Sequence, residues 1–441
     1  MASRDRPETE DATRREFFRA FGRQTVRQAG ELAGAASDLR RNSMAAAREL
    51  LDLGPESPTS GASGRVEYDE VQISAAADGA LAPTFRSPYR FTGEDIVVLD
   101  QRELPGRVTM FALREPSEIG AAIRSGAINS GPVLAEVAAY AMVLACGSAI
   151  GRNEASVRQR MRAAAGTLRA ARREVRALGW AVDRMEAKLD RLADTGADTA
   201  DIRDGLLEAA HKLAADATAV HVRIGRLGAA AIDLPDGRPV NLLMHGDMGP
   251  LSCGAAGVGT SLIQALNDAG HPVHVWLTEA SPTGEGARIS TVQLTQLDIP
   301  HTVIPDTVVG WLFDHRSIDA VLLRGDRVCA NGDCGSLIGS LAVARLAREA
   351  TVPVHVLAPL ASLDAEASDG AAIGVELRSA AEALAADRLA GEAPRPALFG
   401  VRLNPTVDVV PAELISRYLT EAGALAPPFE RSLALALAEA T

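Results

Sequence analysis

Polar residues follow two predicted strands near the middle of the chain. The apolar runs Thr302 to Ile304 and Asp319 to Leu323 are short, aliphatic or β-branched, and bounded by Pro, Gly or Asp, which is typical of buried parallel strands. Asp306 follows the first run and Asp326 follows the second. A carboxylate at a strand end can act in acid–base chemistry or cap a following helix. Because ligands of open α/β sheets bind at the carboxyl ends of strands, we predict a site here.

A second candidate region is the Gly-rich turn after a predicted strand at Val240 to His245. It reads GDMGPLSCGAAGVG and leads into a predicted helix that begins TSLIQAL. Backbone N–H groups at such a helix start can bind an anion. The turn lacks the lysine of a phosphate-binding P-loop, so its glycines are equally consistent with a tight backbone turn alone.

The order of predicted elements indicates the fold class. Before residue 236 the sequence predicts one strand near Asp95 and then helices, at Pro116 to Ser125, Gly131 to Ile150, Ala155 to Leu192 and Asp201 to Leu227. From Val240 onward, strands alternate with helices, which favours a parallel doubly wound sheet. We therefore predict an α/β protein with a mainly helical domain at 66–235 and a Rossmann-like domain at 236–441.

Residues 1–65 form a separate predicted region. The text from Thr13 places aromatic and leucine residues among arginines, which predicts an amphipathic helix, and Pro55 to Arg65 is typical of a flexible linker. The helix docks on the body of the protein or on a protein partner, with membrane-surface binding as a further alternative. Arg14 and Arg15 resemble a twin-arginine export signal, but the following segment contains charged residues where an export signal is apolar.

Composition excludes several classes of protein. The net charge is −12 and the pI is about 5.3, so we predict no nucleic-acid partner. No run of 18 apolar residues occurs, so we predict no membrane span. The four cysteines lack metal-site spacing and are few for this length, which indicates buried thiols in a cytoplasmic protein. We predict neither a metal nor a cofactor.

Several segments together resemble one known family. They are VVLDQRELPG (97–106), WAVDRM (180–185), GARIS (286–290), IPHTVIPDTVVGWL (299–312), IDAVLLRGDRVCANGD (318–333), APLASLD (358–364) and NPTVDVVPAELI (404–415). In this order and spacing they resemble the family of methylthioribose-1-phosphate isomerase, ribose-1,5-bisphosphate isomerase and the alpha, beta and delta subunits of translation initiation factor 2B. The resemblance implies a helical domain, a Rossmann-like domain and a homodimer.

The resemblance also implies an acid–base pair, of which this chain keeps one member. The family uses an aspartate in a GADR motif and a cysteine in a THCN motif. Asp326 in RGDR matches the aspartate, whereas Gly246 in MHGDMG occupies the cysteine position. Glycine has no proton to transfer, so Cys253 or Asp247 would have to supply the second group. Alternatively, Gly246 only allows a tight turn.

The phosphate ligands implied by the family are also replaced. The motif arginine of RGAPAIG becomes Asn129, a glutamine position becomes Glu285, and the Asn-Lys pair after NGD becomes Ser336 and Leu337. These changes remove positive charge and add a carboxylate, which would repel a phosphate dianion. Only Arg172, or its neighbour Arg173, matches an arginine of the family. Alternatively, this arginine simply lies on a solvated helix face. The predicted substrate-binding residues are Arg172, Asn129, Glu285, Arg288, Asn331 and Ser336.

Two hypotheses for function follow. In the first, the chain is a divergent aldose–ketose isomerase acting on a sugar or sugar phosphate, with Asp326, Cys253 and Asp247 as catalytic residues. In the second, it is a non-catalytic protein that binds a small ligand or a protein partner, as the initiation factor 2B subunits allow, and the N-terminal helix docks that partner. The intact Asp326 motif favours the first hypothesis, and the glycine at 246 favours the second.

Overall fold

The computed structural model describes residues 87–128, 131–148, 154–375, 377 and 404–440. All of them belong to one compact unit, Arg65–Thr441. The predicted N-terminal helix and linker, Asn129 and a helix predicted around Ala380 to Leu389 lie outside the described residues.

The first part of the chain is mainly helical. A three-stranded antiparallel sheet in the order β1-β2-β3 is followed by five helices. The strands are β1 (Tyr89–Phe91), β2 (Ile96–Leu99) and β3 (Met110–Leu113), and the helices are α1 (Pro116–Arg124), α2 (Val133–Gly147), α3 (Glu154–Ala171), α4 (Arg176–Asp194) and α5 (Thr199–Ala229).

Sequence signals explain the helix starts and the central position of α2. A proline occupies the first position of α1, where its missing N–H is not needed. Asp198 caps α5 by accepting hydrogen bonds from the N–H groups of Ala200 and Asp201. Helix α2 is apolar on nearly all sides, so it lies at the centre of the helical core, as predicted.

The second part of the chain is built on a seven-stranded sheet. Its elements are β4 (Val240–Met244), α6 (Pro250–Cys253), α7 (Val258–Asp268), β5 (Val273–Thr278), α8 (Thr291–Gln296), β6 (His301–Ile304), α9 (Val309–His315), β7 (Ala320–Arg324), α10 (Ser340–Glu349), β10 (Val354–Leu357), β13 (Arg417–Thr420), β14 (Gly423–Leu425) and α11 (Phe429–Ala440). A π-helical turn, Gly286–Ser290, precedes α8.

The strand order is β14-β13-β10-β7-β4-β5-β6. All neighbours are parallel except β14, which is antiparallel to β13. The six parallel strands therefore have the 3-2-1-4-5-6 order of a Rossmann fold, with the topological switch point between β4 and β7. The predicted doubly wound sheet is confirmed.

Both faces of this sheet are buried. On one face, Leu243 and Val321 pack with residues of α9, α10 and α11, and on the other, Leu242 and Leu322 pack with residues of α5 and α7. Successive strand residues point to opposite faces, so a sheet covered on both sides requires strands with continuous apolar runs.

A smaller sheet lies after β7, in the order β11-β8-β9-β12. Its strands are β8 (Arg327–Cys329), β9 (Cys334–Leu337), β11 (Leu363–Asp364) and β12 (Val407–Val410). The carboxylate of Asp333 accepts hydrogen bonds from the N–H groups of Gly370 and Ala412, both at 2.9 Å. The loop before β9 is thereby fixed to two distant segments of the chain.

One helix prediction was wrong. The segment Ala155 to Leu192 is not a single helix, because α3 ends at Ala171 and α4 begins at Arg176. In the break, the N–H of Arg176 donates to the backbone oxygen of Asp326 (2.9 Å). The break therefore attaches the helical domain to the end of β7.

Within the described ranges, every helix is either too short or too polar to cross a lipid bilayer. All four cysteines are buried, as predicted.

Candidate functional site

The candidate site lies at the topological switch point of the large sheet. His245, Gly246 and Asp247 follow β4, and Asp326 follows β7, its neighbour in the sheet. This is the place where the crevice of an open α/β sheet binds its ligand. We call the residues gathered here the sheet-edge cluster, defined as Gly246, Asp247, Cys253, Glu285, Arg324 and Asp326.

Gly246 occupies a position that disfavours a larger residue. Its φ is +81°, in the left-handed region that favours glycine. A Cβ built on Gly246 would lie 2.6 Å from Cδ2 of Leu337 and 2.8 Å from Oε1 of Glu285. A cysteine at this position would therefore require the side-chain ends of Leu337 and Glu285 to move.

Arg324 is the buried cation of the cluster, with 2% of its surface exposed. Its Nε donates to Oδ1 of Asp326 at 2.8 Å and its Nη2 to Oδ2 at 3.3 Å. Its Nη1 donates to the backbone oxygen of Asp247 and lies 3.8 Å from Oε1 of Glu285. These carboxylates raise the pKa of Arg324 against the opposing effect of its burial. Asp326 is thus held in an ion pair.

Asp247 is completely enclosed by hydrogen-bond donors. Its carboxylate accepts from Ser290 Oγ (2.8 Å), Gln293 Nε2 (2.7 Å), Ser252 Oγ and the N–H of Gly249. Burial raises the pKa of Asp247, and the negative charge of Glu285 adds to this, while the hydroxyl hydrogen bonds and Arg324 oppose it. The structure brings Asp247 into the cluster, and its four donors fix the Gly-rich turn.

Cys253 lies at the end of α6 and is fully buried. Burial raises the pKa of its thiol to about 12, while the nearby Arg324 opposes that shift. The thiol is therefore protonated near neutral pH. A general acid or base works best with a pKa near the working pH, so Cys253 is poorly suited to proton transfer.

Glu285 and Arg288 come from the segment between β5 and α8. The Glu285 carboxylate accepts the N–H of Asp247 (2.9 Å). Arg288 donates from Nη1 to the backbone oxygens of Gln101 and Leu104, both at 3.0 Å. Burial lowers the pKa of Arg288. Its hydrogen bonds attach this loop to the segment after β2.

Asn331 and Ser336 also have partners within the protein. Asn331 donates from Nδ2 to Asp333 Oδ2 (2.9 Å) and accepts the N–H of Asp333. Ser336 is buried, donates to the backbone oxygen of Arg324 (2.7 Å) and lies 2.9 Å from Ser340 Oγ. Both residues stabilise the turns that carry the cluster, and their predicted substrate contacts stay predictions.

Arg172 lies in the break between α3 and α4 and is only 6% exposed, with Nη1 3.3 Å from Oε1 of the buried Glu174. The reading of Arg172 as part of a solvated helix face is therefore wrong, whereas Arg173 is exposed. Asn129 lies outside the described residues.

A carboxylate at a strand end can cap the following helix, but the side chain of Asp306 does not do so. Its carboxylate accepts the N–H groups of Ala280 (3.0 Å) and Ser281 (2.7 Å) and so fixes the loop after β5. Arg324 was not among the residues predicted from the sequence. Its signal was the arginine at the start of RGDR, where the family motif GADR has a small residue.

The cluster combines one buried guanidinium with three buried carboxylates, those of Asp247, Glu285 and Asp326. Asp326 and Glu285 both lie within ion-pair distance of Arg324, and an unpaired buried charge would be costly. Within the described residues, no group of three or more His, Cys, Asp or Glu side chains is arranged to hold a metal ion.

Comparison with known proteins identifies relatives over most of the chain. Residues 128–427 match the initiation factor 2 subunit family. The chain is 34% identical over 361 residues to the methylthioribose-1-phosphate isomerase of Roseiflexus castenholzii, covering 80% of this chain and 98% of the relative. It is 33% identical over 351 residues to the isomerase of the same name from Synechococcus sp., covering 79% and 97%.

Solved structures agree with these relatives. The fold is similar to the 5-methylthioribose 1-phosphate isomerase of Pyrococcus horikoshii, with a TM-score of 0.69 and 25% identity over 81% of this chain and 98% of that one. It is also similar to the delta subunit of translation initiation factor eIF-2B from A. fulgidus, with a TM-score of 0.64 and 23% identity over 80% and 99% of the two chains. The chain therefore belongs to the initiation factor 2 subunit family and is similar to methylthioribose-1-phosphate isomerases over nearly their whole length.

Proposed function

We propose that this chain is a non-catalytic member of the family, which binds a ligand or a protein partner and does not isomerise a sugar phosphate at the sheet-edge cluster. The observation behind this proposal is the packing around Gly246. By the resemblance Gly246 stands at the family's cysteine position, and a Cβ at Gly246 would require the side-chain ends of Leu337 and Glu285 to shift.

The other acid–base candidates support the same proposal. Asp326 pairs with Arg324, an arginine that the family motif does not have. Cys253 keeps its proton near neutral pH because burial raises the pKa of its thiol to about 12. An aldose–ketose isomerase needs one group that accepts a proton and one that donates it across an open substrate site.

A divergent isomerase is the second candidate. In its favour, Asp247, Cys253 and Asp326 all lie around Arg324, and the relatives at 33–34% identity are named isomerases. In this case Asp326 would be the acid–base residue, with Cys253 or Asp247 as its counterpart. The substrate would differ at its phosphate end, because Asn129, Glu285 and Ser336 replace the family's residues there.

Assembly, location and domain limits also stay proposals. By the family resemblance we propose a homodimer, and by the cysteine usage a cytoplasmic protein. The N-terminal extension, residues 1–65, would dock a protein partner, and the domain boundary would lie near residue 235. Deleting residues 1–65 should abolish partner capture without lowering the unfolding temperature of the body.

The test is a turnover assay with methylthioribose 1-phosphate, run beside the Roseiflexus castenholzii isomerase as a positive control. We expect no product from this chain. A thermal-shift screen with ribose 1-phosphate, ribose 1,5-bisphosphate and unphosphorylated pentoses would detect binding without turnover, because a ligand of the native state raises its stability.

Turnover of any of these sugars would contradict the non-catalytic proposal. Loss of that turnover in Cys253→Ser or Asp247→Asn, with the unfolding temperature unchanged, would then assign the second proton-transfer group. Asp326→Asn is less informative, because it also leaves the buried Arg324 without its counter-charge.

A further inference from the structure

An open groove lies away from the sheet-edge cluster. It runs between α4, α5 and the segments that follow β10 and β13, and its volume is about 700 Å³. We call it the α4–α5 groove, defined by Trp180, Met185, Leu213, Val220, His221 and Glu421. The residues of the sheet-edge cluster are not among those that line it. The groove is therefore a separate candidate binding site.

The rim of the α4–α5 groove is rich in positive charge. Arg184, Lys188, Arg191 and Lys212 line it, against Asp216 and Glu421. Lys212 pairs with Asp216 at 3.0 Å. In the part of the chain that the structure describes, no acidic side chain pairs with Lys188 or Arg191. The chain as a whole has a net charge of −12, so this rim reverses the prevailing sign.

One wall of the groove presents an aromatic face and a cation together. The guanidinium of Arg184 lies over the ring of Trp180, 4.9 Å from its centroid. Met185, Leu213 and Val220 supply apolar surface beside it. An apolar body can pack in the groove while an attached anionic group contacts the rim, since ligand sites combine apolar walls with a few placed polar groups.

His221 lies on the floor of the groove and is 1% exposed. Its Nδ1 is buried within the protein and has no hydrogen-bond partner there. The histidine therefore adds mainly ring surface to the groove, beside Leu213 and Val220. Burial lowers the pKa of His221 to about 4, which leaves a neutral ring with one donor and one acceptor.

We propose that the α4–α5 groove binds a small amphipathic anion. Its aromatic or branched apolar body lies between Trp180 and Leu213, and its phosphate, carboxylate or sulfonate group contacts Lys188 and Arg191. The volume falls within the range of about 300–1,000 Å³ that is usual for small-molecule sites. This site is independent of any turnover at the sheet-edge cluster.

The test uses 8-anilinonaphthalene-1-sulfonate, an aromatic anion that fluoresces when it is bound in an apolar site. The wild-type chain should bind one equivalent, and Ala217→Trp, which fills the groove, should weaken binding at least about tenfold. N-phenyl-1-naphthylamine has the same rings without the sulfonate and should bind about tenfold more weakly than the anion.

Charge variants test the rim separately. The double variant Lys188→Glu, Arg191→Glu should weaken binding of the sulfonate dye and leave binding of the uncharged dye unchanged. Arg345→Glu, on the exposed face of α10, is the matched control and should have no effect on either dye. Because these residues are partly or fully exposed, the variants test the proposal even if Ala217→Trp does not fold.

Three results would overturn the proposal. The first is unchanged dye affinity in both the filled and the charge-reversed variants, and the second is several equivalents of dye bound at any surface. The third is a wild-type dimer that becomes monomeric in Ala217→Trp by sedimentation velocity. That result would mean that a second copy of the chain occupies the groove.

Discussion

The charged groups of the sheet-edge cluster have partners within the protein, whereas two cations of the α4–α5 groove have none within the described residues. In the cluster, Arg324 pairs with Asp326, and Asp247 accepts four hydrogen bonds from the protein itself. In the groove, Lys188 and Arg191 line an open volume, and within the described residues no acidic side chain pairs with either of them. A site whose polar groups are satisfied internally stabilises the fold, whereas one whose polar groups are unsatisfied is prepared for a ligand. The family resemblance predicts a site at the cluster and none at the groove.

The largest expected effect comes from removing the cation of the cluster. Arg324→Met should lower the free energy of unfolding by about 3–5 kcal/mol, because it leaves buried carboxylates without a counter-charge. Arg238→Met is the control, since its pair with Asp319 is partly exposed and should cost no more than about 1 kcal/mol. Denaturant unfolding measures both. Equal losses of the free energy of unfolding in the two variants would mean that Arg324 does not act as the counter-charge of the buried carboxylates.

Restoring the family's cysteine should damage the protein. Gly246→Cys combines a positive φ with contacts to Leu337 and Glu285, so it should cost about 2–4 kcal/mol and yield no isomerase activity. Gly237→Cys is the matched control, because Gly237 has a φ of +69° but no atom within 4 Å of the new Cβ. Its loss should be about 1 kcal/mol, from backbone strain alone. A stable and active Gly246→Cys variant would show that Leu337 and Glu285 can move aside and leave an open substrate site.

The stability of the protein should depend on pH through Glu136, a buried carboxyl group that lies near Cys253 of the sheet-edge cluster. Glu136 of α2 accepts the hydroxyl of Tyr89 (2.7 Å) and packs against Gly254, next to Cys253. Burial raises the pKa of Glu136 to about 8, while the Tyr89 hydrogen bond opposes the shift. The unfolded chain ionises this group near pH 4.5 and the folded chain does not, so stability falls as the pH rises from there to about 8.

Glu136→Gln should therefore flatten that decline and stabilise the chain at pH 8 by on the order of 1–2 kcal/mol. Glu118→Gln is the control of opposite sign, because two backbone N–H groups lower the pKa of Glu118 and its contribution disappears as the pH falls. Thermal unfolding from about pH 3 to pH 9 compares the two, because the contribution of Glu118 is lost only below its unfolded pKa of 4.5. A steeper decline in Glu136→Gln would refute the assignment.

The smallest effect on stability belongs to the groove. Lys188→Glu should change the free energy of unfolding by less than about 0.5 kcal/mol, because Lys188 has no ion pair within the described residues to lose. The same variant should reduce binding of the sulfonate dye. A large loss of stability would mean that this lysine supports the fold and would weaken the contrast between the two regions.

Most of the fold could be predicted because its signals are local. Apolar runs such as 319–323 and 240–245 form strands β7 and β4 as expected, since period and composition suffice for buried strands. The break between α3 and α4 could not be predicted. No glycine or proline marks it, and the Arg176 N–H finds its partner on Asp326, about 150 residues further along the chain.

The position of the cluster in the fold could be predicted from the sequence, but the partners of its side chains could not. Strand ends and motif spacing predicted Asp326 and Asp247 as site residues. The structure places both at one edge of the sheet, because parallel strands bring their carboxyl ends together, and their role in a site stays a prediction. That Arg324 folds back onto Asp326, or that Asp306 fixes the loop after β5, depends on side-chain directions in three dimensions. The groove had no sequence signal, because its wall residues lie on helices whose exposed and buried faces depend on tertiary packing.

The two hydrogen bonds of Asp333 also bear on how the chain tolerates change in length. They hold Gly370 and Ala412 to the same carboxylate, and β12 pairs with β9 just beside them. These contacts hold Gly370 and Ala412 close together. Loop-closure entropy grows only with the logarithm of length, so inserting a reporter domain between residues 376 and 403 should cost little stability.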